Sequence, residues 1–149
     1  MKKFQFSLKA LLSYREHLEQ IAMQELAKAQ SDVNQVTAYI EEIEEEFRKA
    51  RNDLEVESEK GITSENLGMY IDYLNGLEQK KFEANEALSR LMVIVEKRRS
   101  ALQTKSVEKK IIINLKDKRR SEYVNEALKS AQSDSDEMVL LSGVFGKKE

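Results

Sequence analysis

The chain contains no cysteine, no proline and no tryptophan, and histidine occurs once in its 149 residues. Without cysteine there is no disulfide framework and no thiolate metal site, and a reducing compartment is compatible with the composition. With no proline and only five glycines, the usual turn signals of a compact fold with many elements are rare. The sequence therefore predicts a few long secondary-structure elements, and we predict that these are helices.

Residues that could carry chemistry are also scarce. His17 lies between Glu16 and Leu18 on a predicted helix, without a second histidine or an aspartate at ligand spacing, so we predict a solvated surface side chain and no metal site. The glutamates within residues 41–46 point in different directions around a helix. No phosphate-binding glycine loop, nucleophile elbow or HExxH motif occurs. We predict no catalytic residue, no cofactor and no enzyme activity.

The amino-terminal residues begin with a basic stretch, as signal peptides do, but the apolar run that follows is broken by Gln5, Ser7 and Lys9. No small-residue cleavage site follows it. Nothing in the sequence approaches the roughly 20 apolar residues that cross a bilayer as a helix. We therefore expect a cytoplasmic protein without a transmembrane segment.

An apolar residue recurs every three or four positions along most of the chain. In the first half these positions are Leu26, Ala29, Val33, Val36, Ile40, Ile43, Phe47, Ala50 and Leu54. In the second half they are Leu67, Tyr70, Leu74, Leu77, Ala84, Leu88, Leu91, Val95 and Leu102, with gaps at Lys81 and Arg98. Steps of three and four average about 3.5 residues, which keeps one seam facing a partner helix in a left-handed supercoil. The pattern predicts a coiled coil.

The clear interruption of this pattern lies well inside the chain, at Gly61-Ile62-Thr63-Ser64. Glycine suits the position after a helix end, and Thr63 or Ser64 can cap the next helix. We predict helix 1 over about residues 7–60 with Ser7 as its cap, a turn over 61–63, and helix 2 over about 64–133. A short connection makes the helices antiparallel neighbours. The predicted fold is all-α, a long two-helix antiparallel coiled-coil hairpin forming a single domain, residues 1–149.

Two segments depart from the regular seam. Arg15 and Glu19 occupy seam positions, and two successive steps of four through Leu18, Ala22 and Leu26 indicate a stutter that locally unwinds the supercoil. At the carboxyl end, the tail of about residues 134–149 contains an apolar cluster over 138–145 after a polar stretch. Two interpretations of this tail stay open: a docking element, and a disordered, frayed chain end.

Charge is segregated along the chain. Residues 41–90 contain 14 acidic and 7 basic side chains, whereas residues 97–120 contain 10 basic and two acidic ones. Three interpretations of the basic segment stay open. It is a solvated face, a surface for an acidic protein partner, or a surface for nucleic acid or membrane. Because no aromatic residue lies within it to stack on bases, we expect no direct nucleic-acid partner.

Several short motifs together resemble the flagellar type III export protein family FliJ. They are Phe4-x-Phe6-x-Leu8-x-x-Leu11-Leu12 with Arg15, Gly61-Ile62-x-Ser64, Tyr70-x-x-Tyr73-Leu74-x-x-Leu77-Glu78, Leu115-Lys116-Asp117-Lys118-Arg119 with Glu122-Tyr123, and Asp136-Glu137. The resemblance spans nearly the whole chain, and the turn with its tyrosines is its most specific part. It implies a hairpin similar to the coiled coil of the rotary ATPase gamma subunit, acting as a stalk in a hexameric export ATPase.

The resemblance also implies partners and surfaces. In the family the stalk promotes ring assembly, contacts the membrane-embedded export gate through its cytoplasmic part, and helps to recycle export chaperones at the cytoplasmic face of the inner membrane. The family's gate-binding patch maps to Ile43, Tyr73 and Leu77, while Lys80 and Glu46 depart from it. Ile43 and Leu77 are also seam residues, so a structural role stays open for both.

The ATPase-binding end implied by the resemblance is where the chain termini meet. Its candidate residues combine apolar and basic side chains, and they are Phe6, Leu11, Leu18, Lys109, Lys116, Arg119 and Arg120. Three other functions stay open for the whole chain. They are the stalk of a virulence type III secretion system, a coiled coil that binds nucleic acid through residues 97–120, and a generic dimerising scaffold.

Overall fold

The computed structural model describes residues 3–146, and it consists of two helices. Helix α1 spans Lys9–Lys60 and helix α2 spans Ser64–Gly146, and no strand occurs within the described residues. The two helices run antiparallel and pack against each other along the apolar seam. The predicted all-α coiled-coil hairpin is confirmed. Neither helix has an apolar stretch, within residues 3–146, that is long enough to cross a membrane.

The connection between the helices is built from the residues that the sequence indicates. Gly61 has a φ of +92°, the left-handed region in which glycine alone is unstrained. The hydroxyl oxygen of Thr63 accepts a hydrogen bond from the backbone N–H of Asn66 at 3.2 Å, so Thr63 caps α2. Glu65 lies in the first turn of α2, where its negative charge is favourable against the helix dipole.

The first helix begins two residues later than the sequence predicts, at Lys9. Ser7 was expected to cap it, but the Ser7 hydroxyl instead accepts a hydrogen bond from the guanidinium of Arg119 at 2.7 Å. The start of the helix is held by a backbone bond from the N–H of Lys9 to the carbonyl of Phe6 at 3.2 Å. A contact distant in sequence therefore replaces the predicted local cap.

The second helix continues to Gly146, beyond the predicted end near residue 133. Between Gly76 and Gly143 there is neither glycine nor proline to interrupt the backbone hydrogen bonds. Where the extension begins, the side-chain amide of Gln132 donates to a carboxylate oxygen of Asp136 one turn later, at 3.1 Å. The side chain of Phe145, part of the predicted apolar cluster, lies outside the described residues.

The chain packs as two units. The turn unit comprises Ile21–Gln103, and the terminal unit comprises Met1–Gln20 with Thr104–Glu149. In the turn unit a continuous apolar core is formed by Ile40, Ile43, Leu77 and Ala84, with Val36, Phe47 and Leu88 packed against it. Leu77 is 2% exposed and Ile43 is 4% exposed. This unit is held together mainly by apolar burial.

In the terminal unit the seam is less well buried and includes charged side chains. Only Leu12 and Glu19 are buried among its described side chains. A carboxylate oxygen of Glu19 accepts from the Lys109 ammonium at 2.7 Å, and Arg15 pairs with Glu108 at 2.8 Å. We call these four charged residues the charged layer. Two ion pairs thus occupy positions that an apolar layer fills elsewhere in a coiled coil.

Candidate partner-binding surfaces

The terminal unit places aromatic rings beside the basic helix segment. The rings of Phe4 and Tyr123 lie 5.6 Å apart, centroid to centroid, at an interplanar angle of 47°. The guanidinium of Arg119 lies over the ring of Phe6, 5.9 Å from its centroid. Both contacts join the segment before α1 to α2, since tilted ring pairs and cation–π contacts each contribute attraction.

Beside the rings lies a groove with a volume of about 560 Å³. We call it the cationic groove. It is lined by Phe4, Gln5, Phe6, Lys9, Leu12, Lys116 and Arg120. The lining contains three cations and no carboxylate. Among residues 3–146, none of the three cations lies within ion-pair distance of an acidic side chain. The cationic groove therefore combines an apolar floor with uncompensated positive charge.

The charged layer, by contrast, is internally neutralised. The hydrogen bond from Lys109, with a smaller contribution from that of Ser106, lowers the pKa of Glu19 against the opposing effect of burial. Glu108 accepts from Arg15 and also lies 3.6 Å from the Lys105 ammonium. Its basic members are thus committed to carboxylates of the same unit.

Of the seven residues predicted to bind the ATPase, four lie at the cationic groove, one lies in the charged layer and two lie in neither. Lys116 and Arg120 line the cationic groove with Phe6, and Arg119 covers the Phe6 ring. Lys109 is bonded to Glu19 in the charged layer. The remaining two, Leu11 and Leu18, are half-buried on α1.

In the turn unit, the predicted gate residue Tyr73 is accessible. Its side chain is 51% exposed, and its hydroxyl donates to a carboxylate oxygen of Glu46 at 3.3 Å. Partial burial, then the charge and the hydrogen bond of Glu46, raise the pKa of Tyr73 above its ordinary value. A groove of about 490 Å³ beside the turn is lined by Glu57, Ile62, Asn66, Met69, Tyr70 and Tyr73. Tyr73 can therefore contact a partner without unfolding of the helices.

The other two predicted gate residues are core residues. Ile43 and Leu77 are buried in the seam, yet both contribute to the floor of a second groove of about 280 Å³ in the turn unit. Phe47 shares that floor, and Lys81 at its edge pairs with Glu44 at 3.2 Å. Little of the Ile43 or Leu77 side chain is accessible to a partner, so both residues act mainly in packing the two helices together.

The family model of the flagellar FliJ protein matches residues 4–143. The chain belongs to the FliJ family. FliJ proteins are non-catalytic components of flagellar export, so this chain has a role related to flagellar protein export. No curated protein and no solved structure matches it.

The sequence of this FliJ-family chain did not predict which cations the amino-terminal rings accompany. Phe4 and Phe6 lie beside Lys116, Arg119 and Arg120 of the basic segment. The partners of Arg15 and Glu19 in the charged layer were also missed, although the seam positions of both were a usable signal. Within residues 3–146, no group of acidic or histidine side chains could hold a metal ion, and His17 is exposed.

Proposed function

We propose that this FliJ-family chain is the central stalk of the flagellar export machinery. In this proposal the terminal unit binds the hexameric export ATPase and promotes its assembly and activity. The turn unit contacts the cytoplasmic part of the export gate, and the chain also escorts export chaperones. The protein acts at the cytoplasmic face of the inner membrane, at the flagellar basal body.

The observation that carries the proposal is the cationic groove. Three cations that have no carboxylate partner among residues 3–146 line an apolar floor, and the lining includes Phe6, Lys116 and Arg120, where the family resemblance predicts the ATPase contact. Unpaired surface charge steers an oppositely charged partner and fixes its orientation, while an apolar floor supplies the buried area for affinity. A ring that surrounds a stalk needs both properties, because the stalk must enter the ring quickly and be held there.

For the gate, the support comes from Tyr73. An aromatic side chain that is half exposed at the surface of a well-packed apolar core is a typical anchor for a partner. The groove beside the turn adds Met69 and Tyr70, and Met69 is 67% exposed. Ile43 and Leu77 contribute by holding the helices that present these side chains.

Two variants test the assignment of one partner to each unit. Lys116→Glu with Arg120→Glu reverses the charge of the cationic groove, and Tyr73→Ala removes the aromatic anchor. We expect the first to lose binding to the purified export ATPase and keep binding to the cytoplasmic part of the gate. The second should do the reverse. A variant that loses both partners while its helicity stays unchanged would contradict the assignment.

A nucleic-acid-binding coiled coil gains one supporting observation, since Phe4 and Phe6 lie beside the cations. Both rings are half-buried and already packed, Phe4 on Tyr123 and Phe6 under Arg119, which leaves little ring face for bases. Retention of RNA or DNA that weakens steeply with salt would favour this alternative. We expect no such retention.

A further inference from the structure

We propose that the cationic groove of one copy of the chain binds the acidic–apolar segment of a second copy, residues 134–141, and that two copies exchange these segments reciprocally. The partner is therefore a second copy of this chain, and the complex is a two-fold symmetric dimer. The inference goes beyond the stalk function and does not depend on it.

The acidic–apolar segment has the complementary properties. Its carboxylates, Asp134, Asp136 and Glu137, are exposed, and no cation lies within ion-pair distance of any of them among residues 3–146. Asp136 accepts a hydrogen bond from the side-chain amide of Gln132 one turn earlier. The four apolar residues that follow, Met138, Val139, Leu140 and Leu141, are between 57% and 70% exposed.

The chain therefore carries an uncompensated cationic surface with an apolar floor and an uncompensated anionic segment with apolar side chains. Each offers what the other lacks. Contiguous exposed apolar residues next to charge mark interaction sites in soluble proteins. Complementary charges would set the register of the complex, and the apolar side chains would supply the buried area.

The two surfaces cannot meet within one copy. Both lie on the same continuous helix α2, and Arg120 precedes Asp134 by 14 positions. At about 1.5 Å of rise per residue, that separation is roughly 20 Å along a straight helix. A helix cannot fold back on itself over that distance, so the occupant must come from another molecule.

The spacing along α2 fits a symmetric exchange. When two copies of α2 lie antiparallel about an axis near Ala127, Arg120 of one copy faces Asp134 of the other, and Lys116 faces Met138. A flexible Met138 side chain can enter the groove over the phenylalanine rings. The exposed Val124 and Leu128, 46% and 64% exposed, flank the axis and become covered. Such an isologous contact closes at two copies.

One consequence does rest on the proposed function. The dimer would cover Lys116 and Arg120, which we assign to the export ATPase, so dimerisation and ATPase binding would compete. The chain would then be stored as a dimer until the ATPase separates it. Because the dimer itself is measured without the ATPase, failure of one claim is distinguishable from failure of the other.

The test is the molar mass of the full chain in solution, measured by sedimentation equilibrium up to about 100 μM, a concentration that detects weak association. We expect a dimer for the unmodified chain. Lys116→Glu with Arg120→Glu, and separately Asp134→Lys, should each raise the dimer Kd about tenfold or more, since positions 120 and 134 then carry like charges that face each other. An equimolar mixture of the two variants should regain the dimer mass.

Three outcomes would overturn the proposal: a monomeric unmodified chain over this range, a dimer that resists both reversals, or a mixture that stays monomeric. If a reversal lowers helicity, Lys116→Gln with Arg120→Gln replaces it, with the same expected loss of dimer.

A second readout uses the absence of cysteine. Ala127→Cys, near the proposed axis, should be linked between copies by a short bis-maleimide. Ser121→Cys, about 18 Å along the helix from its symmetry mate, should not be linked. Equal linking of both would contradict the axis.

Discussion

The turn unit and the terminal unit use the same two-helix architecture with different seams. The turn unit buries isoleucine, leucine and alanine, and Leu77 at its centre is 2% exposed. The terminal unit buries a carboxylate, Glu19 at 9% exposure, against a lysine. An apolar seam contributes stability with little positional specificity, whereas a buried ion pair contributes little net stability and can fix register. We infer that the turn unit stabilises the hairpin and that the charged layer sets its alignment.

The difference extends to the surfaces. In the turn unit the accessible Tyr73 lies on a well-packed support, which suits a preformed site for a partner. In the terminal unit the basic members of the charged layer are paired with carboxylates, whereas the cations of the cationic groove have no acidic partner among residues 3–146. The charges that remain without partners are the ones available for intermolecular contacts.

The largest effect is expected in the apolar seam. Leu77→Ala should lower the free energy of unfolding by about 2–5 kcal/mol, because it leaves a cavity where the side chain is fully packed. Urea unfolding followed by far-UV circular dichroism measures it. Tyr73→Ala is the control, four positions away but half exposed, and should change stability by no more than about 0.5 kcal/mol. A large loss for Tyr73→Ala would make that residue structural.

The charged layer should respond differently. Glu19→Ala leaves Lys109 without its partner and should cost about 1–3 kcal/mol. Replacing both by leucine should restore the unfolding free energy to about its original value or raise it, since apolar substitutes for a buried ion pair are often neutral or stabilising. Urea titration of the single and double variants gives both values. A double variant as unstable as the single one would show that the pair itself carries stability.

The turn offers a smaller, purely backbone test. Gly61→Ala should cost about 1–2 kcal/mol, because the left-handed conformation strains any residue with a Cβ. No atom lies within 4 Å of the added methyl, so crowding does not contribute. Gly68→Ala, in the interior of α2 with equally open space, should instead gain about 0.5–1 kcal/mol. In thermal melts, stability changes of opposite sign for the two variants would support a left-handed conformation at Gly61. Changes of the same sign would contradict it.

The smallest effect is a pH dependence confined to the terminal unit. The folded state lowers the pKa of Glu19 below its ordinary value near 4.5. Its contribution is therefore fully present above that value and is lost as the pH falls through the lowered pKa. The stability difference between the unmodified chain and Glu19→Gln should be constant near neutral pH and shrink below about pH 4.5. A difference that stays unchanged in acid would remove Glu19 from the account.

Much of this fold was predictable because a coiled coil is specified locally. The spacing of apolar residues gives the seam, and Gly61 with Thr63 gives the turn, each through the preferences of a few neighbouring residues. The helix start at Lys9 was not predictable, because Arg119 occupies the Ser7 hydroxyl from far along the chain. Regular periodicity predicts only approximately which residues of the two helices face each other, and a stutter shifts that register. The partners of Arg15 and Glu19 could therefore be identified only from the structure.

The candidate surfaces were predictable only in part. Tyr73 was identified by the family resemblance, and its exposure follows from its position off the apolar seam. The cationic groove depends on which cations lack carboxylates, a property of three-dimensional neighbours that charge counting along the sequence does not contain.

The measurement that tests the central claim most directly is ATP hydrolysis and ring formation by the flagellar export ATPase of the same organism, with and without this chain. We predict faster hydrolysis and hexamer formation with the unmodified chain, and a much smaller effect with Lys116→Glu and Arg120→Glu. No effect of the unmodified chain at saturating concentration would contradict the stalk function.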